Sequence, residues 1–327
     1  MTRIKIEDEK HWHWLRREHV GASEVGALFG VHPQITRWEL HHIKAGTLDA
    51  PDLSDNERVT WGQIVEPAIA AGVERIHGWS LQAVHVYHSD DAGLGATLDY
   101  RRIKAGDKNG PVDMKNVDGL VRRNWEGDKP PLHLLLQIQA QMALTGAKWS
   151  ALACLIGGNE LEVHEYDRHQ PTIDKIKREV TAFWQEVRNG TPPTPDFTRD
   201  AARVAELYSE PAPRTVDLSG HNRITQLLET ERLASERKNQ WDKAQTAAKA
   251  EILDALGDAT HAHLPDGRVL EVGVVNYKAA TIEKPAGSYR KTPKVHDADK
   301  AELPEHKKKS APQPKPKTDF NATPPAF

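Results

Sequence analysis

The stretch PLHLLLQIQAQMALTG, residues 131–146, constrains this chain most. It reads as a helix, and Gln137 stands among Leu134, Leu135, Leu136 and Ile138. An amide in so apolar a setting costs free energy unless it is hydrogen-bonded, so a buried polar role is favoured for Gln137. Segments 149–157 and 161–166 follow as two strands, and 171–189 as a helix. In that helix Ile173, Ile176, Val180, Phe183, Trp184 and Val187 form a broad apolar stripe. Upstream, segments 80–89, 94–102 and 111–117 have strand-like apolar content between Gly/Asp/Asn turns. GDKNG at 106–110 signals a hairpin turn.

Before the strands come helices. Residues 1–20 read as a helical or irregular lead-in. GASEVGALFGV starts a helix with Ser23 as N-cap and Val25, Leu28 and Phe29 on one face. A second helix runs from Thr36 to a stop at Gly46. After a loop at about 47–56 comes a long amphipathic helix, ERVTWGQIVEPAIAAGVERIHG, with Pro67 in or near a first turn or at a kink. Helices, strands, helix, strands, helix make an α/β or α+β core over residues 1–197. TPPTPDF closes it. Residues 198–283 form an accessory region: a long charged helix at 219–256 with a coiled-coil-like apolar face, then a β-hairpin turned at Asp266-Gly267. Residues 284–327, rich in Pro and Lys, read as a disordered tail.

Within this frame GPVDMKN, residues 110–116, raises a chemical question. In a strand, residues two apart share a face, so Asp113 and Lys115 stand side by side while Val112 and Met114 face away. The acid-x-Lys spacing alone decides nothing, since Asp8/Lys10, Glu236/Lys238 and Glu305/Lys307 share it in a chain with 28% charged residues. Context distinguishes Asp113. Asp99 ends a predicted strand, and a hairpin of 94–102 with 111–117 brings the two aspartates to the same end. Glu66 lies on the preceding helix and Gln137 on the following one. Such a group of carboxylates suits Mg²⁺, which takes hard oxygen ligands. Two carboxylates and a main-chain carbonyl beside Asp113 can hold one or two ions. Lys115 can orient a nucleophile or neutralise charge on a phosphate, and Gln137 can hold the water or the lysine.

Other chemistries find less support. The net charge of −3 gives no global attraction to nucleic acid, so a binding site must be local. There is no HExxH and no Cys/His ladder among the 17 histidines. The groups His11/His13 and His41/His42 read as surface or DNA-facing residues. The single cysteine, Cys154, falls in the apolar run SALACLIGG, reads as a buried structural thiol and fits a reducing cytoplasm. No apolar run is long enough for a membrane span, and no signal peptide is evident. Trp12, Trp14 and Trp125 can stack on bases or pack in the core.

Four motifs in order carry a resemblance. WHWLRREHVGASEV, WGQIVEPAIAAGVE, the Asp99…Asp113-x-Lys115 series with LQIQAQMALTGAKWSALACLIGG, and FWQEVRNGTPPTPDF resemble the YqaJ viral recombinase family. That family is similar to the phage lambda-type exonucleases of the PD-(D/E)xK nuclease superfamily. The resemblance covers about residues 10–197. It implies a restriction-endonuclease-like core, with a central mixed β-sheet flanked by helices. It further implies that Asp99, Asp113 and Glu66 are metal ligands for Mg²⁺ (or Mn²⁺), with Lys115, Glu66 and Gln137 catalytic. Arg16 and Ser23 match the positions that grip the 5′-phosphate of a DNA end. The implied activity is 5′-to-3′ digestion of double-stranded DNA by a ring-like homo-oligomer, with a single-strand annealing protein as partner. Two features depart from the family pattern: Leu98-Asp99-Tyr100 stands for Pro-Asp-Gly, and Asp113 for Glu. A nicking or structure-selective endonuclease, and a non-cleaving DNA-end binding protein, are the alternatives.

The compositional break after residue 284 generates a first expectation. Deletion of residues 285–327 should leave cleavage of short duplexes intact in a gel assay; complete loss would place the tail in the nuclease machinery.

Overall fold

Strands that carry apolar residues on both faces need cover on both sides, and the computed structural model shows how the chain supplies it. The structure describes residues 1–273 apart from 124, 126, 128 and 211. They fall into one compact unit, Met1–Tyr208, and a second that begins at Ser209.

The first unit runs β1 (Thr2–Lys5), α1 (Glu9–Glu18), β2 (Val20–Gly21), a 3₁₀ turn at Ala22–Glu24, α2 (Val25–Leu28) and α3 (Arg37–Lys44). It continues through α4 (Glu57–His77), β3 (Ser80–Ala83), β4 (Val86–Ser89), β5 (Leu94–Thr97), β6 (Tyr100–Ile103) and β7 (Gly110–Val117). Then follow α5 (Gly119–Arg122), α6 (Leu132–Thr145), β8 (Trp149–Ile156), β9 (Glu160–Asp167), α7 (Gln170–Asn189) and α8 (Ala201–Leu207).

Two sheets result. One has the order β3-β6-β7-β8-β9, and the other β1-β4-β5-β2. In the five-stranded sheet β7 and β8 are parallel, with Asp113 opposite Leu152, and the other neighbours are antiparallel. A parallel pair needs a crossover, and α6 is that crossover. The fold is therefore α/β with mixed sheets flanked by helices.

The pleat sorts β7 into two faces. Val112 and Met114 join Ile69 and Val73 of α4, together with Trp79, Trp149, Ala151 and Ala153. The opposite face meets α6 and α7 in a larger core that includes Leu136, Ile138, Met142, Leu152, Cys154, Ile173 and Phe183. Each fully buried Leu or Ile there contributes roughly 1.5–3 kcal/mol. All six stripe residues of α7 are buried. Burial raises the Cys154 thiol to about 12, which makes it an inert core residue.

Several sequence expectations need correction. The runs 80–89 and 94–102 are each two strands, because each crosses from one sheet to the other: β3 to β4, and β5 to β6. The two bends are tied, since Val84 N–H donates to the Asp99 carbonyl at 3.1 Å. The lead-in contains β1, which becomes a strand only by pairing with β4. Ser23 is not an N-cap. Gly21 precedes the 3₁₀ turn, and the Glu24 carboxylate accepts from its N–H at 2.8 Å. Pro67 lies inside α4, well past its first turn, and leaves the Gln63 carbonyl without its helical donor. His41 and His42 are buried rather than DNA-facing. They meet Phe183 of α7 and Trp38 of α3 respectively, at ring distances of 6.4 and 4.5 Å. Burial, then the neighbouring His41, lowers His42 to about 4, so it is neutral at pH 7.

The second unit carries α9 (Ile224–Leu256) and the hairpin of β10 (His261–His263) and β11 (Val269–Glu271). The hairpin turns through Asp266 and Gly267 as expected, with Gly267 at φ 84°. Along α9, Leu256 is buried, while Leu227, Trp241 and Ile252 of the expected packing face are exposed. The tail assigned to 284–327 lies outside the described residues. Among the described residues no helix is long and apolar enough to cross a membrane.

Gly110 is required where β7 starts beside β8. A β-carbon there would lie 1.9 Å from the Trp149 carbonyl oxygen. Gly110→Ala is expected to cost about 1–3 kcal/mol, read as a lower urea midpoint with unchanged slope. A wild-type midpoint would show that the strand pair can shift freely.

Candidate active site

The face of β7 that meets α6 carries Asp113, which is 2% exposed. Two amides from α6 hold it. Gln137 and Gln141 are one helical turn apart on one side of the helix. Gln137 Nε2 donates to Asp113 Oδ1 at 2.7 Å, and Gln141 Nε2 donates to the same oxygen at 2.9 Å. Lys115, two residues along the strand, pairs through Nζ with Asp113 Oδ2. Both oxygens of the carboxylate are thereby oriented.

Asp99 occupies the bend between β5 and β6, where the chain passes between sheets. Met114 N–H donates to Asp99 Oδ2 at 2.8 Å, fixing that carboxylate against the residue after Asp113. Leu98 is buried in the larger core, so the departure from a Pro-Asp-Gly pattern places an apolar side chain where the core accepts it. Tyr100 opens β6 opposite Val112.

Burial, then the charge of Asp113, pushes Asp99 up to about 7. Glu66 on α4 is half-buried, and burial followed by the Asp113 charge raises it too. Burial alone would lower Lys115, yet Asp113 and Asp99 outweigh it and raise the ammonium above its ordinary value. One cation thus serves three carboxylates.

This donor set fits a divalent metal in chemistry, since all of it is carboxylate oxygen and it carries surplus negative charge. The arrangement is looser than the sequence expectation. Among the described residues no three His, Cys, Asp or Glu side chains converge closely enough to hold an ion together. Asp113 and Glu66 both act on Asp99 through their charge, and Asp113 acts on Glu66 in the same way. Gln137 also differs in role: its amide holds Asp113 rather than Lys115. Gln141 joins the site beyond the residues expected from the sequence, although the Gln-x-Gln-x-Gln spacing of residues 137–141 holds the signal. Gln139, between them, instead bonds the Asp167 carbonyl and the His169 N–H.

A second polar group lies behind the 3₁₀ turn. Glu24 is 7% exposed. It pairs with Lys44 Nζ at 2.7 Å and with Arg16 Nη2 at 3.2 Å. Burial opposes ionisation, but Lys44 and Arg16 hold Glu24 down at about 2. Arg16 also lies 4.8 Å over the Trp12 ring, and Ser23 is exposed beside Glu24. Trp12 and Trp14 are half-buried, whereas Trp125 belongs to the core. The His32 and His133 rings are 6.0 Å apart. Burial lowers both; Glu24 opposes this at His32, while His32 and then Lys115 add to it at His133.

Residues 11–148 match the model of the YqaJ-like viral recombinase domain. The protein YqaJ of Bacillus subtilis is 26% identical over 253 residues, 74% of this chain and 78% of its own length. Among solved structures, an alkaline exonuclease from Laribacter hongkongensis superposes with a TM-score of 0.46 and 21% identity, covering 60% of this chain and 100% of that one. A phage-related exonuclease from Haemophilus somnus 129PT gives a TM-score of 0.41 and 13% identity, covering 52% of this chain and 94% of that one.

The Glu24 group generates a stability prediction. Glu24→Gln strands the buried Lys44 charge and is expected to cost about 3 kcal/mol or more. Because Glu24 is held below its unfolded value, its contribution is complete above about pH 4.5 and fades as pH falls toward 2. Urea titrations at pH 7 and pH 3 should show the gap between variant and wild type narrowing at the lower pH. A gap independent of pH would contradict the assignment.

Proposed function

We propose that this protein is a metal-dependent DNA exonuclease of the PD-(D/E)xK type. It degrades one strand of double-stranded DNA from the 5′ end and leaves 3′ single-stranded DNA for recombination by annealing. The observation that carries this reading is the buried Asp113 carboxylate, shared between Lys115 and two α6 amides, with Asp99 pinned beside it.

Asp99 and Asp113, with the main-chain carbonyl next to Asp113, would hold Mg²⁺ or Mn²⁺. Such an ion polarises a phosphodiester and lowers the pKa of its bound water. The protein's own residues do the positioning. Gln137 and Gln141 prevent Asp113 from rotating, so its orientation needs no adjustment when substrate arrives. Lys115 is held protonated and can neutralise charge that builds on the phosphate. Glu66 adds negative charge at the rim and is poised, by its raised proton affinity, to accept or return a proton. Arg16 and Ser23 supply a cation and a hydroxyl for the 5′-phosphate of a DNA end, with Arg16 donating from the nitrogens that Glu24 leaves unused.

The viral recombinase domain supports the wider setting. Double-stranded DNA ends are the substrate, a single-strand annealing protein is the partner, and a ring-like homo-oligomer gives processivity. The exposed apolar positions of α9 offer surface for that assembly.

The test is digestion of linear duplexes labelled at either the 5′ or the 3′ end, alongside a covalently closed circle, with Mg²⁺ or with EDTA. The expected result is early, Mg²⁺-dependent release of the 5′ label with the circle intact. Asp113→Ala and Lys115→Ala should each lower the rate by about 10²-fold or more. A nicked circle would indicate an endonuclease, and duplex binding with no cleavage in either metal would indicate a DNA-end binding protein.

A further inference from the structure

A cavity of about 520 Å³ opens at the start of β7, where the two sheets part. Arg3 of β1, Arg101 of β6 and Lys148 ahead of β8 line it, as do His85 and His88. Its one lining acid, Asp107, pairs with Lys148 at 3.1 Å. Arg3 and Arg101 are exposed and have no carboxylate partner among the described residues. Both charges reach the buried His88 ring, whose pKa burial and then these two arginines lower. Two arginines without a carboxylate partner among the described residues therefore line one cavity.

One feature of the cavity opposes an anion. The C-terminal end of α6 opens here through Thr145 and Gly146, and helix carbonyls carry partial negative charge. That end is already compensated. Arg168 Nη1 donates to the Met142 carbonyl at 2.7 Å and to the Ala147 carbonyl at 3.4 Å.

The location ties the cavity to the candidate active site. Pro111 lines it, two residues before Asp113 on the same face of β7, hence about 7 Å away along the strand. Leu98 lines it too, next to Asp99. Forked guanidinium donors match phosphate geometry, and the volume is within the range of small-ligand pockets, roughly 300–1,000 Å³.

We propose that this cavity binds a phosphate group of the nucleotide strand handled at Asp99 and Asp113, either within the strand or on the mononucleotide released from it. The inference rests on the nuclease reading for its ligand and on Arg3 and Arg101 for its site.

The test is calorimetric titration of the full-length protein in EDTA with dTMP and, separately, with an unphosphorylated oligothymidylate. Wild type is compared with the Arg3→Gln/Arg101→Gln double variant. Loss of two charge-assisted contacts should weaken binding by about tenfold or more. Weakening confined to the oligonucleotide would assign the cavity to the strand, and weakening for dTMP would assign it to the released nucleotide. Equal binding by variant and wild type, or no binding of either probe by wild type, would overturn the inference. Both arginines are exposed and unpaired, so the unfolding midpoint should not change. Parallel cleavage assays separate the two readings. Binding that needs the arginines in a protein that cuts no DNA would sink the nuclease reading alone. Cleavage accompanied by arginine-independent binding would sink this inference alone.

Discussion

The site depends on one buried carboxylate. Asp113 lies in a strand covered on both faces, where an ionised group is costly unless it is paired and hydrogen-bonded. Lys115 supplies the charge, and Gln137 and Gln141 supply donors to the other oxygen. This arrangement requires α6 to lie across β7 at a fixed height. The parallel β7–β8 pair provides it, because a crossover helix must pass over the sheet between those strands. The core of Leu136, Ile138 and Met142 then locks the helix in place. Stability and chemistry therefore draw on the same packing.

Around that carboxylate the structure concentrates negative charge rather than dispersing it. Asp99 is pinned by the Met114 N–H, and Glu66 approaches from the opposite helix layer, with Lys115 as the nearby cation. Such an arrangement stores electrostatic repulsion, and a divalent cation or a proton relieves it. The Glu24 group behaves differently: with Lys44 and Arg16 it is balanced, its acid is strongly ionised, and it anchors the 3₁₀ turn. The first arrangement is suited to receiving a ligand, and the second to holding the fold.

Much of this was legible in the chain. The apolar helix at 131–146, the α7 stripe, the long α4 and the Asp113-x-Lys115 strand all follow from periodicity. Gln137 was marked by its chemical misfit with its neighbours. Less legible were the features that depend on partners. The runs 80–89 and 94–102 look continuous because each has strand-like apolar content between turns, yet each bends from one sheet to the other. His41 and His42 read as polar surface, yet both are buried, His41 against Phe183 of α7 and His42 against Trp38. Gln141 could be seen in the spacing, but its partner could not.

What the sequence by itself determined is local: which segments are helices or strands, which faces are apolar, and which acids and lysine share a strand face. These follow from the 3.6- and 2-residue periods and from side-chain chemistry. Only the tertiary structure decided which groups meet. It brought α6 amides onto Asp113 and set Asp99 in the bend between sheets. It also placed Arg3 and Arg101 along one cavity from strands almost a hundred residues apart (101 − 3 = 98). Contacts of that range depend on strand order and helix crossings, which no local period encodes.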